Sequence, residues 1–195
     1  MYIKRSIEEI IKKRAKTSKC LLLTGPRQVG KSTLLKTLYP DIKYYTFDDK
    51  LLLQTAESDP KLFLKNVPSP VILDEVQYAS NLFSYIKIEC DKDDKYEKFY
   101  LTGSQQLKLM ERAKESLAGR ISILELQGLS LREINGINFN KHFVPTNEYI
   151  AEREKHLKPY DNLWKIIHKG SYPENYVVEK EWIDFYSSYV KTYLE

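Results

Sequence analysis

Short apolar runs alternate with stretches of helical periodicity along the first two thirds of the chain. Ile7, Ile10 and Ile11 recur at helical spacing behind Ser6-Ile7-Glu8-Glu9, which has the form of a capping box, and predict a helix over 7–16. Cys20-Leu21-Leu22-Leu23-Thr24 then reads as a buried parallel strand ended by Gly25. A helix over 30–38 follows and stops before Pro40. Further strands are predicted over 42–47, ended by Asp48-Asp49, and over 71–73, introduced by Pro68-Ser69-Pro70. Ser80 or Asn81 can cap a helix carrying Leu82, Phe83, Tyr85 and Ile86. A fourth strand is predicted over 99–102, a helix over 107–117, and a fifth strand over 121–126, before a second capping-box pattern, Ser130-Leu131-Arg132-Glu133.

Strands alternating with helices imply an α/β fold, a parallel sheet covered on both faces. The pattern changes after Leu131. Residues 135–147 read as loop, and helices are predicted over 148–157, over 161–169 (ended by Gly170) and from 181 onward. The expected domain boundary is near Asn147, with one domain over 1–147 and a helical segment, the start of a second domain, over 148–195.

Composition narrows the classes further. No apolar run approaches the ~18 residues a membrane-spanning helix needs, and no apolar segment follows the charged N-terminus. Cys20 and Cys90 are too few for a disulfide framework, so free thiols in the cytoplasm are expected. The net charge is +4, with cations and acids interleaved as in Asp91-Lys92-Asp93-Asp94-Lys95, which reads as solvated surface. No basic stripe calls for nucleic acid.

The chemistry concentrates after the first strand. Gly25-Pro26-Arg27-Gln28-Val29-Gly30-Lys31-Ser32-Thr33 fits the phosphate-binding pattern of two glycines four residues apart followed by Lys and Ser or Thr. Glycines let the backbone turn its N–H groups toward phosphate oxygens, and the helix N-terminus adds free amides and the positive end of its dipole. Lys31 is placed for the β- and γ-phosphates, the Ser32 hydroxyl for Mg²⁺, and Thr33 for the α-phosphate. Val71-Ile72-Leu73-Asp74-Glu75 is an apolar strand ending in two carboxylates. Asp74 is expected to organise Mg²⁺ with Ser32, and Glu75 to take a proton from the attacking water. At the end of the fourth strand, Ser104 or Gln105 would face the γ-phosphate if that strand lies between the first and third.

These motifs, with Leu101-Thr102-Gly103-Ser104, Val76-Gln77, Glu115-Ser116-Leu117-Ala118-Gly119-Arg120 and Gly170-Ser171-Tyr172-Pro173-Glu174, resemble bacterial and archaeal AAA-superfamily ATPases that carry a C-terminal domain of unknown function. The resemblance implies a P-loop core of the additional-strand class, ATP and Mg²⁺ as ligand and cofactor, and a role for Arg120 as an arginine finger or a structural switch. A structural alternative pairs Arg120 with a carboxylate such as Glu125. Members of that family usually continue for ~200 residues more, about a further domain. The chain is therefore expected to be a piece of a longer protein or a remnant of a longer gene. Its last helix, with Trp182, Phe185, Tyr186, Tyr189 and Tyr193 at helical spacing, is expected to expose an apolar face.

The leading reading is an Mg²⁺-dependent ATPase acting as a conformational switch. The alternatives are a non-catalytic nucleotide-binding regulatory module and a small-molecule kinase. A GTPase is disfavoured because Asn140-Lys141 is followed by His142-Phe143, not by a guanine-reading Asp pattern. ATP is the partner the residues specify; self-association, a protein partner and DNA stay open, and no membrane is implied. Lys31 is the only side-chain cation that the pattern itself aims at the β- and γ-phosphates. Lys31→Ala is expected to abolish measurable ATP binding with the fold intact. Titration with a fluorescent ATP analogue checks it, and wild-type affinity in the variant would overturn the assignment.

Overall fold

The computed structural model describes residues 2–104, 107–139, 141–159, 162–179 and 181–193. They form α1 (Glu8–Ala15), β1 (Cys20–Gly25), α2 (Lys31–Leu38), β2 (Lys43–Thr46), α3 (Lys50–Ser58), α4 (Pro60–Asn66), β3 (Val71–Asp74), α5 (Leu82–Asp91), β4 (Phe99–Ser104), α6 (Leu107–Leu117) and β5 (Ile121–Glu125). Four shorter or later helices and one long one follow: α7 (Leu131–Ile134), α8 (Asn147–Glu154), α9 (Leu163–Lys169), α10 (Glu174–Val177) and α11 (Trp182–Tyr193). The chain divides into two compact units, one over Ile7–Gln127 and one joining the first six residues to Gly128–Glu195. Asn147, the boundary expected from the pattern, is the first residue of α8 inside the second unit. Among the described residues no helix is long and apolar enough to cross a membrane.

The first unit is built on a five-stranded parallel sheet in the order β2-β3-β4-β1-β5. β4 lies between β1 and β3, as the additional-strand class of P-loop fold requires. Side chains alternate across each strand, and the three central strands β1, β3 and β4 are buried on both faces. Cys20, Leu22, Val71, Leu73, Phe99 and Leu101 belong to a core shared with Phe63 of α4, Phe83 and Ile86 of α5, and Leu117 of α6. Leu21, Leu23, Ile72 and Tyr100 point to the other face and are equally buried. There Tyr39, just after α2, stacks on Tyr100 with ring centroids 4.3 Å apart.

Two helices fill a stretch that the hydrophobic pattern left without elements. The Asp49 side chain caps α3 by accepting from the N–H groups of Leu51 and Leu52. Asp59 caps α4 by accepting from Leu62, with Pro60 in the first turn. Two expected caps do not form. Ile7 occupies the N-cap of α1 without a side-chain bond, and Ser6 instead donates its N–H to Glu133 Oε1 at 2.6 Å. Asn81 stands at the N-cap of α5 in helical geometry and also makes no side-chain cap. Ser80 offers its carbonyl, accepting from Phe83 N–H, and its hydroxyl takes a hydrogen bond from Arg112.

In the second unit the Ser130–Glu133 capping box closes α7 as expected. Glu133 also holds Arg5, whose side chain is buried and donates to Glu133 Oε1 at 3.3 Å and to the Gly128 carbonyl at 3.1 Å. The aromatic face of α11 is not exposed, contrary to the expectation from its spacing. Tyr172 packs its ring on Phe185, Tyr186 and Tyr189, and Phe185 is only 3% exposed. Tyr193 repeats the spacing, but its side chain lies outside the described residues.

Where β1 ends, the backbone tolerates no side chain. Gly25 has φ 143, and a Cβ there would lie 2.1 Å from the carbonyl oxygen of Leu126, whose N–H is bonded to Thr24 O at 2.8 Å. Gly25→Ala is therefore expected to pry β5 from β1 and destabilise the unit by about 1–3 kcal/mol, the usual cost of such backbone strain. Urea unfolding measures it, and an unchanged midpoint would show that the loop relaxes without help from Gly25.

Candidate functional site

The carboxyl ends of β1, β3 and β4 meet at one edge of the sheet. Gly25 is the register partner of Ser104, and Thr46 is that of Asp74. Between β1 and α2 the chain makes the loop of residues 26–30. Gly30, with φ 90, sits in the left-handed region at the N-cap of α2, and Gln28 is also left-handed with φ 62. Val29 is buried at 1% exposure and anchors the loop, while Arg27, Gln28 and Thr33 lie at the surface and Pro26 is half-buried. The loop thus opens onto the first turn of α2, whose free amides attract anions.

Lys31 starts α2 and is buried, with its ammonium donating to the carbonyls of Gly25 at 3.0 Å and Pro26 at 2.8 Å. Burial pulls its pKa below the ordinary lysine value, and the carboxylates of Glu75 and Asp74 oppose that pull. Ser32 turns its hydroxyl to Asp74, 2.8 Å from Oδ1 and 2.9 Å from Oδ2. Two further hydroxyls reach the same carboxylate: Tyr44 from β2 donates to Oδ2, and Thr102 from β4 to Oδ1. Burial and the hydrogen bond to Asp74 both raise the Tyr44 pKa, so the phenol stays protonated as a donor.

Glu75 leaves the sheet at this point. Its φ of 55 is left-handed, which is uncommon for a residue other than glycine. Its N–H contacts Thr102 Oγ1 at 3.4 Å, and one residue later Val76 N–H meets Thr102 O at 2.9 Å. The backbone twist turns Glu75 out of the strand, and its carboxylate accepts from Nε2 of Gln77. The other end of that amide, Gln77 Oε1, accepts from the N–H of Ser104 at 3.3 Å. Ser104 is buried, and its own hydroxyl has no hydrogen-bond partner among the described residues. Gln105, the other expected sensor, lies outside the described residues.

Arg120 is not brought to this edge. It precedes Ile121, the register partner of Cys20, roughly 16 Å along the sheet from Gly25 at ~3.3 Å per residue. Its guanidinium engages Asp91 with two hydrogen bonds, Nε to Oδ1 at 2.5 Å and Nη2 to Oδ2 at 2.9 Å. Glu125, the partner suggested by the sequence, is bound by Gln127 instead. Two lysines act on the same end of α5: Lys19 donates to Cys90 O at 2.8 Å, and Lys98 to Glu89 O at 2.6 Å. Cations at a helix C-terminus satisfy its open carbonyls and its dipole. Within one chain Arg120 therefore anchors α5 to the start of β5.

Sequence reasoning assigned no role to Tyr44, Thr102 or Gln77. Thr102 and Gln77 stand inside strings that carried the family resemblance, so those strings held an unused signal. Tyr44 had none beyond its place on a strand next to the acidic one.

Residues 17–135, well over half of the chain, match the family model described as an AAA domain. Two uncharacterised mycobacterial proteins, from Mycobacterium tuberculosis and Mycobacterium bovis, are each 36% identical over 115 residues. That segment is 58% of this chain and 26% of each relative, so the chain spans about a quarter of the length of the curated relatives it matches. Among solved structures, a signal-transduction ATPase with a tetratricopeptide repeat sensor from Pyrococcus horikoshii superposes with a TM-score of 0.43 at 15% identity. The superposition covers 79% of this chain and 28% of that one.

The three hydroxyls around Asp74 generate a direct test. Tyr44→Phe removes one hydrogen bond to a buried charge and is expected to lower stability by about 1.5–3 kcal/mol, the range for bonds to charged groups. Urea unfolding at constant pH measures the change. A midpoint equal to wild type would mean that the phenol does not hold Asp74.

Proposed function

This chain belongs to the AAA-domain family, and on that premise we propose that its nucleotide-binding, ATPase-type domain hydrolyses ATP with Mg²⁺ and converts the hydrolysis into a conformational switch. The observation that carries the reading is the convergence of Ser32 Oγ, the Asp74 carboxylate and the outward-turned Glu75 beside the loop of Gly25 to Thr33. A binding module without chemistry has no need for a carboxylate turned out of the strand at a backbone cost of ~1–3 kcal/mol.

The donor set suits Mg²⁺, which takes hard oxygens and relies on one or two carboxylates with substrate phosphates. Ser32 and Asp74 are the residues that would hold it. Bound there, the cation would neutralise phosphate charge. Tyr44 and Thr102 orient Asp74, as outer partners orient metal ligands. The amides of residues 27–32 and the Lys31 ammonium bind the phosphate chain. Lys31 gives up its hydrogen bonds to the Gly25 and Pro26 carbonyls in doing so, and phosphate oxygens replace them. Glu75 accepts the proton from the attacking water as that oxygen bonds to the γ-phosphorus, and ADP leaves. The Ser104 hydroxyl supplies a polar contact at the same edge. Arg27, at the loop surface, adds positive charge near the phosphates.

Glu75→Gln keeps the shape of the side chain and removes its basicity. It is expected to leave ATP binding intact and to slow single-turnover hydrolysis by about 10²-fold or more, the usual scale for a general base. Undiminished hydrolysis would place the base elsewhere. Binding without turnover in the wild type would favour a non-catalytic nucleotide-binding module.

A further inference from the structure

Gln77 hydrogen-bonds both to Glu75 and to Ser104, the last residue of β4. A primary amide has a donor end and an acceptor end, and both are matched here. The Glu75 carboxylate only accepts, so Nε2 faces it, and the Ser104 N–H only donates, so Oε1 faces that. No charged side chain can make both contacts: a carboxylate cannot donate to Glu75, and an ammonium cannot accept from Ser104. The bridge spans the ends of β3 and β4, which flank the place where water must be activated if Glu75 is the base.

From this geometry we infer that Gln77 is a positioning residue for hydrolysis, one that sets the aim of Glu75 according to where the backbone of Ser104 stands. The inference rests on the reading of Glu75 as general base and adds the regulation of that site. A shift of the end of β4 at Ser104 pulls on the Gln77 amide, and the amide turns the carboxylate. Glu75 has few other restraints, because its left-handed backbone has already left the ladder. Gln77 itself is half-buried in a turn, so its replacement is expected to leave the fold in place.

The test uses the whole chain and four variants: Gln77→Glu, Gln77→Ala, Glu75→Gln, and the pair Glu75→Gln with Gln77→Ala. Gln77→Glu is nearly isosteric and keeps an acceptor for Ser104 N–H, but it loses the donor and sets two carboxylates face to face. Single-turnover hydrolysis should fall by at least about tenfold in both Gln77 variants, a part of the effect of losing the base. Affinity for a fluorescent ATP analogue should stay within about twofold, since Gln77 touches no residue of the phosphate loop, and the thermal midpoint should hold. In the Glu75→Gln background, Gln77→Ala should cause no further loss, because the two residues act as one unit. Wild-type hydrolysis by Gln77→Glu would overturn the inference, leaving Gln77 only a structural acceptor for Ser104. So would a further loss in the pair, which would mean that Gln77 acts apart from Glu75. Wild-type hydrolysis by Glu75→Gln would instead overturn the general-base reading itself, a result distinct from a failure at Gln77.

Discussion

The Asp74 carboxylate is the constraint on which the rest of this unit depends. It is 4% exposed, and a buried carboxylate is costly unless hydrogen bonds or counter-charges compensate it. Here Ser32 of α2, Tyr44 of β2 and Thr102 of β4 all donate to it. One charged group at the end of β3 thereby fixes the relative positions of four elements. The nearby ammonium of Lys31 adds charge compensation, and its own lowered pKa shows that burial outweighs the pull of the acids on that lysine.

The strand order follows from the same demand. Thr102 can reach Asp74 only because β4 runs beside β3, and Ser104 can face Gly25 only because β4 also runs beside β1. Inserting β4 between the loop strand and the acidic strand separates Ser32 and Asp74 by a full strand at the level of the backbone. Their side chains still meet because α2 leans back across the sheet end, with contacts to β1, β3 and β4. The opposite edge of the sheet has different chemistry. There Lys19, Lys98 and Arg120 satisfy the C-terminal end of α5, and the buried thiols of Cys20 and Cys90 lie 3.3 Å apart as free cysteines. That edge holds the strands together and leaves the carboxyl edge free to be polar.

Most of this was legible in the sequence, for a local reason. A parallel strand buried on both faces is a continuous apolar run, so Leu21 to Leu23 and Val71 to Leu73 declare themselves, and the polar residues that follow mark the edge where ligands collect. The phosphate loop was legible because its glycines have local backbone duties. What escaped was decided by partners distant in the chain. Arg120 meets Asp91, 29 positions earlier, and Ser6 meets Glu133, 127 positions later. Neither partner is visible in the spacing of nearby residues. The helices α3 and α4 were missed although Asp49 and Asp59-Pro60 announce them, because Leu51-Leu52-Leu53 masks the helical period and Leu51 stays 74% exposed. The aromatic face of α11 was expected to be open because its cover, Tyr172, comes from a loop with no periodicity of its own.

The two adjacent carboxylates of the acidic pair stand in different surroundings. Both carboxylates follow one apolar strand, and side chains on successive strand residues point to opposite faces, so an undistorted strand would send Glu75 away from Asp74 and into the packed layer. The left-handed turn at Glu75 removes it from that alternation. Asp74 keeps its place in the sheet and its three hydroxyl donors, while Glu75 emerges at the edge with a single amide contact. The backbone at residue 75 thus separates the two carboxylates, and the hydrogen bond from Val76 N–H to Thr102 O keeps the turned segment against β4.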